Sequence, residues 1–380
     1  MKKLCIIVSS PFTLEVFLLA QIRALTGLYE VTIIVNTQNK KLLKLLNVNA
    51  RLTPVPVERK IRPLRDIYTL ATLFRIFRKN RFDLIHSVTP KAGLLSMLAG
   101  FMAGVPIRLH TFTGQVWGTR TGIMRFVLKA ADKTTAFFAS DILVDSASQR
   151  DFIVQENVLP EKKASVLANG SISGVNVVRF RPNHDLRLKV RQLYAIPPNA
   201  FVILYMSRLT RDKGAIVMAK AFAAFGAANS DAHLIVVGPD EELLRPQMRE
   251  LCRLCIDRVH FVDLVHVPEE YMTCADVFCL PSYREGFGTA LINAAAVGVP
   301  AIASRIYGSS DAIDDGNTGF LFEVGNIDEF VGLLHRLAGN PEMRLSMGKR
   351  ARERAIGKFS EELLTSALLT FYKIRLDALN

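Results

Sequence analysis

The chain has 380 residues, half of them hydrophobic and 22% charged, which excludes a disordered or low-complexity protein and exceeds what one core usually supports. The formal net charge of +13 is uneven: Met1 to Arg181 carries 26 Lys and Arg against 11 Asp and Glu, a net of +15, while the remainder carries 22 against 24. No apolar run reaches the ~18 residues needed to span a membrane, and five cysteines, an odd number in a long chain, argue for reduced thiols over a disulfide framework.

In chain order, "KKLCIIVSS" reads as a strand, "TLEVFLLAQIRALTG" as a helix and "YEVTIIVNT" as a second strand. The opening "MKKLCIIVSSPFTLEVFLLA" also has the lysines and apolar stretch of a signal peptide. Ser9, Ser10 and Pro11 break that run and no small-x-small cleavage site follows, so a first buried strand is expected instead. "IRPLRDIYTLATLFRIFRKN" is helical, "FDLIHSV" a strand, "KAGLLSMLAGFMAG" a helix and "VPIRLHTFT" a strand. Continuously apolar strands separated by helices predict a parallel sheet covered on both faces, the doubly wound α/β pattern.

"LANGSISGVNVVRFRPNHD" is rich in Gly, Asn, Ser and Pro and reads as a linker. The alternation then restarts with "FVILYMSRL", "AHLIVVG", "RVHFVDL", "DVFCLPS" and "VPAIAS", predicting a second α/β domain. Cys252-x-x-Cys255 lies in a helical pattern without a second ligand pair at zinc spacing, so a packed helix face is expected. "FSEELLTSALLTFYKIRLDAL" closes the chain as an amphipathic helix. Open α/β sheets bind ligands at the carboxyl ends of their strands, and two in tandem predict a ligand cleft between them.

Arg208 follows the strand "FVILYMS", with Lys213 and Gly214 close behind. Two cations at a strand's carboxyl end suit a diphosphate, Arg as a fork and Lys as a point charge; solvated loop charges would look the same. "YREGFGTALINAAAVG" runs from a loop into a helix. Free amides at a helix start bind anions, and glycines let the backbone approach a phosphate. Gly286, Phe287, Gly288 and Thr289 therefore read as a phosphate seat. Glu285 beside it makes sense as an acceptor for sugar hydroxyls, or as an ordinary acid favoured by the helix dipole.

The ordered set "SRLTRDKG", "VVGPD", "YREGFGTALINAAAVGVPAIAS" and "IDDGNTGFLFEVGN" resembles the carboxyl half of a family 4 glycosyltransferase of GT-B fold, and "FDLIHSVTPKAGLLSMLAGFMAGVPIRLHTFTG" resembles its acceptor domain. "HTFTGQVW" is similar to members that add an N-acetylated sugar to undecaprenyl-diphosphate-linked saccharides. The resemblance implies an acceptor domain over residues 1–178, a donor domain over 179–358, and a helix over 359–380 crossing back to the first. It implies a retaining, metal-independent transferase that needs no cofactor, with a UDP-sugar donor and a lipid-linked saccharide acceptor, working at the cytoplasmic face of the membrane. Arg208 and Lys213 match the pair holding the donor diphosphate, Glu285 the first acid of an E-x(7)-E pattern, and His110 a strand-end histidine near the donor sugar. The second acid, which holds the ribose, falls at Asn293, so the pattern is broken. Ser9 and Ser10 stand where relatives carry paired glycines. A GT-B nucleotide-sugar 2-epimerase, or a weakened membrane-bound scaffold, would share these motifs.

No Asp-x-Asp triplet occurs. The stretch "RKIRPLRDIYTLATLFRIFRKNR" carries Arg59, Lys60, Arg62, Arg65, Arg75, Arg78, Lys79 and Arg81 among apolar residues, and "FVLKAADKTTAFFAS" adds Lys129 and Lys133. This suits a peripheral helix on an anionic leaflet, and equally a core helix with a basic solvent edge. No aromatic–basic module supports a nucleic-acid partner.

Overall fold

The computed structural model describes residues 1–58 and 61–379; Arg59 and Lys60 of the basic stretch, and Asn380 of the last helix, lie outside the described residues. The chain divides into two compact units, Met1–Ser173 with Glu361–Asn380, and Gly174–Ser360. Both are doubly wound parallel α/β sheets, as expected.

The first unit holds β1 (Lys3–Val8), β2 (Glu30–Val35), β3 (Arg51–Pro54), β4 (Leu84–Val88), β5 (Ile107–Phe112), β6 (Asp141–Val144) and β7 (Ala164–Val166). Their order is β3-β2-β1-β4-β5-β6-β7. The continuous apolar runs have a direct cause. Along β1, Cys5 and Ile7 enter one core, while Leu4, Ile6 and Val8 enter another on the opposite face. The first core is closed by the helices Pro63–Asn80, Pro90–Met102 and Gly122–Phe138, through residues such as Phe77, Met97 and Ala136. The second is closed by Leu19–Thr26 and by Glu361–Asp377, whose Leu368, Tyr372 and Leu376 are buried there. The carboxyl-terminal helix thus returns to the first unit. Its Tyr372 hydroxyl lies 2.6 Å from His86 Nδ1, and His86 Nε2 lies 2.7 Å from Thr111 Oγ1.

The second unit holds β8 (Phe201–Met206), β9 (Ala232–Val237), β10 (Val259–Val262), β11 (Val277–Leu280), β12 (Ala301–Ser304) and β13 (Gly319–Phe322), in the order β10-β9-β8-β11-β12-β13. Val202 and Leu204 of β8 enter one core; Phe201, Ile203 and Tyr205 enter the other. At the entry to this unit the Val175 N–H donates to the Phe359 carbonyl at 2.8 Å, so the two ends of the unit lie side by side. Each sheet reverses direction once, between β1 and β4 and between β8 and β11. Loops leaving the carboxyl ends of these pairs open a crevice that no crossover helix covers, the place where such sheets bind ligands.

Candidate active site

At the second unit's reversal point, β8 runs into the loop carrying Arg208 and Lys213, and β11 into the loop carrying Ser282 and Glu285. The two loops are locked together. Tyr283 N–H donates to the Asp212 carbonyl at 2.9 Å. Gly214 has φ +73°, and a Cβ there would sit 1.9 Å from the Pro281 carbonyl oxygen, so only glycine fits. From below, the buried Tyr205 hydroxyl donates to the Lys213 carbonyl at 3.0 Å. Burial, reinforced by Glu285, pushes that phenol's pKa up, so it stays a neutral donor.

Lys213 Nζ lies 2.7 Å from Glu285 Oε1, and Ser282 Oγ donates to the same oxygen at 2.8 Å. Lys213 and Glu285 are both mostly buried, at 16% and 11% exposure. Among the described residues, Oε2 of Glu285 accepts no hydrogen bond, which leaves acceptor capacity for a ligand hydroxyl. The sequence reading gave Lys213 to phosphate and Glu285 to hydroxyls as separate features. The fold joins them into one ion pair across 72 positions.

Arg208 is also paired. Its Nη1 lies 2.6 Å from Glu241 Oε2, with both side chains 41% exposed. Sequence reasoning missed Glu241. The only signal was the acidic run Asp240-Glu241-Glu242 just beyond β9, and β9 neighbours β8 in the sheet.

The helix Thr289–Ala296 starts on Gly288 at φ +76°, and no side chain caps it. Its first amides are therefore not taken up by a cap and can meet an anion. Gly286 presents its carbonyl oxygen tightly to Gly308, where a Cβ would approach within 2.5 Å. Phe287 turns its ring into the core, 5.1 Å from the Phe359 ring, so only its backbone faces the loop. Asn293 is half-buried one turn on, and its side-chain amide makes no hydrogen bond among the described residues.

In the first unit, the reversal point brings Ser9 and Thr89 together: the Thr89 hydroxyl donates to Ser9 Oγ at 3.2 Å. Thr89 holds φ +85°, unusual for a β-branched residue and costing about 1–3 kcal/mol. Ser10 caps the turn Pro11–Thr13, its Oγ accepting from the Thr13 N–H at 3.3 Å. Both serine hydroxyls are thus engaged, Ser9 by Thr89 of the loop after β4 and Ser10 within its own turn. His110, expected beside the substrates, is fully enclosed. Its Nδ1 lies 2.9 Å from Ser87 Oγ, its Nε2 is buried without a partner, and its ring packs where a side chain on Gly93 would stand. Burial lowers its pKa to about 3, so the ring is neutral.

All five cysteines are free and buried. Among the described residues no group of three or more His, Cys, Asp or Glu side chains could hold a metal ion.

Comparison with known proteins decides the family. Residues 187–354 match the glycosyl transferases group 1 family, and residues 14–171 match glycosyltransferase family 4. The capsular polysaccharide biosynthesis glycosyltransferase CapM of Staphylococcus aureus is 30% identical over 341 residues, covering 89% of this chain and 88% of CapM. The chain belongs to the family 4, group 1 glycosyltransferases. A further relative is the UDP-Gal:alpha-D-GlcNAc-diphosphoundecaprenol alpha-1,3-galactosyltransferase of Escherichia coli, 26% identical over 310 residues, 80% of this chain and 78% of that one. HepE of Anabaena, solved with UDP and glucose, shares the GT-B fold at a TM-score of 0.83 and 17% identity, with 98% of this chain and 100% of that chain covered. In this glycosyltransferase the group 1 match contains the Lys213–Glu285 pair, the helix start at Gly288, and Asn293.

Proposed function

We propose that this glycosyltransferase takes a sugar, an N-acetylated hexosamine, from a UDP-sugar and passes it to a lipid-diphosphate-linked saccharide. The observation that carries the reading is the Ser282–Glu285–Lys213 cluster beside an uncapped helix start, at the reversal point of the second sheet. Glu285 Oε2 would accept from donor-sugar hydroxyls. Lys213, Arg208 and the backbone from Gly286 to Thr289 would take the diphosphate, and Asn293 the ribose. The name of the Escherichia coli relative and the nucleotide in the Anabaena structure are consistent with that donor and acceptor class.

The transfer we propose is retaining. The bond from the anomeric carbon to the diphosphate breaks, the acceptor hydroxyl bonds to that carbon on the same face, and its proton passes to the departing diphosphate oxygen. Cations and helix amides already in place would stabilise the leaving charge, an effect worth roughly 100- to 1,000-fold per donor group. The enzyme would work at the cytoplasmic face of the membrane, held there by the basic first unit. No helix among the described residues is long and apolar enough to cross a membrane.

The test is incubation with radiolabelled nucleotide-sugars and a membrane lipid extract. Label in lipid supports the transferase, whereas conversion of the free nucleotide-sugar would identify an epimerase. Glu285→Ala and Arg208→Ala should each lower turnover by about 100-fold or more with the melting temperature retained. Normal turnover in both would overturn the site assignment.

A further inference from the structure

The loop leaving β1 runs into a helix whose start is irregular. Pro11–Thr13 form an α-helical turn, Leu14–Leu18 a π-helical turn, and Leu19–Thr26 a regular α-helix. A π turn takes up an extra residue, which changes where the flanking side chains point, and such turns gather at functional sites. Here Leu14 and Leu18 enter the core, while Phe12 and Val16 stand outward, 48% and 51% exposed. The Phe12 ring is held in place. It meets the Phe17 ring edge to face at 6.4 Å, and Phe17 packs against the first unit's core. Ser10 stiffens the same turn, its Oγ accepting from the Thr13 N–H and lying 3.0 Å from Thr13 Oγ1.

The turn lies at the first sheet's reversal point, joined to the loop after β4 by the Ser9–Thr89 hydrogen bond. The hydroxyls of Ser9, Ser10, Thr13 and Thr89 therefore cluster in the segments flanking the exposed ring. A hydroxyl that accepts one hydrogen bond still has a proton to donate, so this group can both give and take. Thr89, at φ +85°, is a second backbone irregularity beside the same ring, of a kind that persists where a site needs it. Charge narrows the ligand. Met1 to Arg181 carries a net of +15, yet the stretch from Leu4 to Ile22 holds no Lys or Arg and a single acid, Glu15. Lys91, just beyond Thr89, lies 2.5 Å from Asp66 Oδ1. An aromatic ring among hydroxyls and without cations is poorly matched to a phosphate or an acidic headgroup. It matches a neutral sugar, whose apolar C–H face can lie on the electron-rich face of the ring while its edge hydroxyls exchange hydrogen bonds.

We infer that Phe12 is a platform on which the acceptor's terminal sugar ring stacks, with the Ser9–Thr89 pair and Ser10 meeting that sugar's edge hydroxyls. This deepens the proposed function, giving the acceptor saccharide a named contact, and rests on that reading. The test titrates a detergent-solubilised membrane lipid extract against the full chain with radiolabelled UDP-sugars. Phe12→Ala should need about tenfold more extract for half-maximal rate, with a much smaller change in the maximal rate. Its UDP affinity by calorimetry and its melting temperature should stay near the parent's. Phe12→Trp should keep or lower the half-saturating amount. Phe12→Leu, apolar but without a ring face, should lose as much as alanine. Parent-like half-saturation in Phe12→Ala overturns the inference. So does full rescue by leucine, which would assign the position to a lipid chain or another apolar partner. Ligand-observed NMR separates this inference from the reading beneath it, using the methyl α-glycosides of N-acetylglucosamine, glucose and galactose as probes. Magnetisation transfer to one of these sugars from the parent, lost in Phe12→Ala, supports the platform even if the parent transfers no sugar to lipid, a result that would overturn the proposed function alone. Equal signals from parent and variant, or none from the parent, overturn the platform.

Discussion

Glu285 holds two donors, Lys213 and Ser282, on one carboxylate oxygen, leaving the other oxygen in reach of a ligand. The side-chain types at this site were legible in the sequence, because strand ends and the loops after them are local features. Their partners were not. Glu241 reaches Arg208 only because β9 lies beside β8, and nothing local orders strands in a sheet. The pair should compete with an anionic ligand for Arg208. Glu241→Gln is therefore expected to tighten nucleotide binding, by up to about fivefold given what an exposed ion pair contributes; calorimetry with UDP would measure it. The Asn293 side chain makes no hydrogen bond among the described residues, at the position where the family resemblance implies an acid. Asn293→Glu should tighten nucleotide binding by about 1–2 kcal/mol, since a charged acceptor then meets the ribose hydroxyls. Unchanged or weaker affinity would mean that the ribose is held by other groups.

Between elements, the decisive contact is the backbone approach of the β8 and β11 loops at Gly214. An alanine there would collide with the Pro281 carbonyl and would also have to adopt φ +73°. Gly214→Ala should cost about 1–3 kcal/mol or more in stability. It should also separate Lys213 from Glu285, so that nucleotide affinity falls together with the melting temperature. The sequence showed a glycine after a basic loop, but which backbone it had to clear depends on two strands 70 residues apart meeting in one sheet. The helix Gly122–Phe138 teaches a similar lesson. Its amphipathic pattern was visible, yet the face that turns outward was set by packing against the first unit's core, and that face is the more apolar one.

At the scale of the whole molecule, stability should depend on pH through groups buried in the first unit. His86 and His110, with pKa values lowered by burial to about 3, stabilise the fold fully above about 6.5 and progressively less as pH falls toward 3. Asp145 acts oppositely. Burial raises its pKa from 3.8 to about 8, so its contribution is complete below about 3.8 and is lost as pH rises through 8. Asp145→Asn should therefore raise the melting temperature above pH 8 and leave it unchanged near pH 4; an equal shift at both would show that the carboxyl does not titrate in place. The sequence by itself determined two doubly wound α/β domains and the strand-end loops on which the candidate site residues lie. These follow from apolar periodicity and glycine placement, which act over a few residues. The tertiary structure alone decided which charges pair, that His110 is enclosed, that the last helix is tied to β4 through Tyr372 and His86, and which helix face is left bare. Those outcomes depend on strand order and core packing, which bring together residues that no local rule connects.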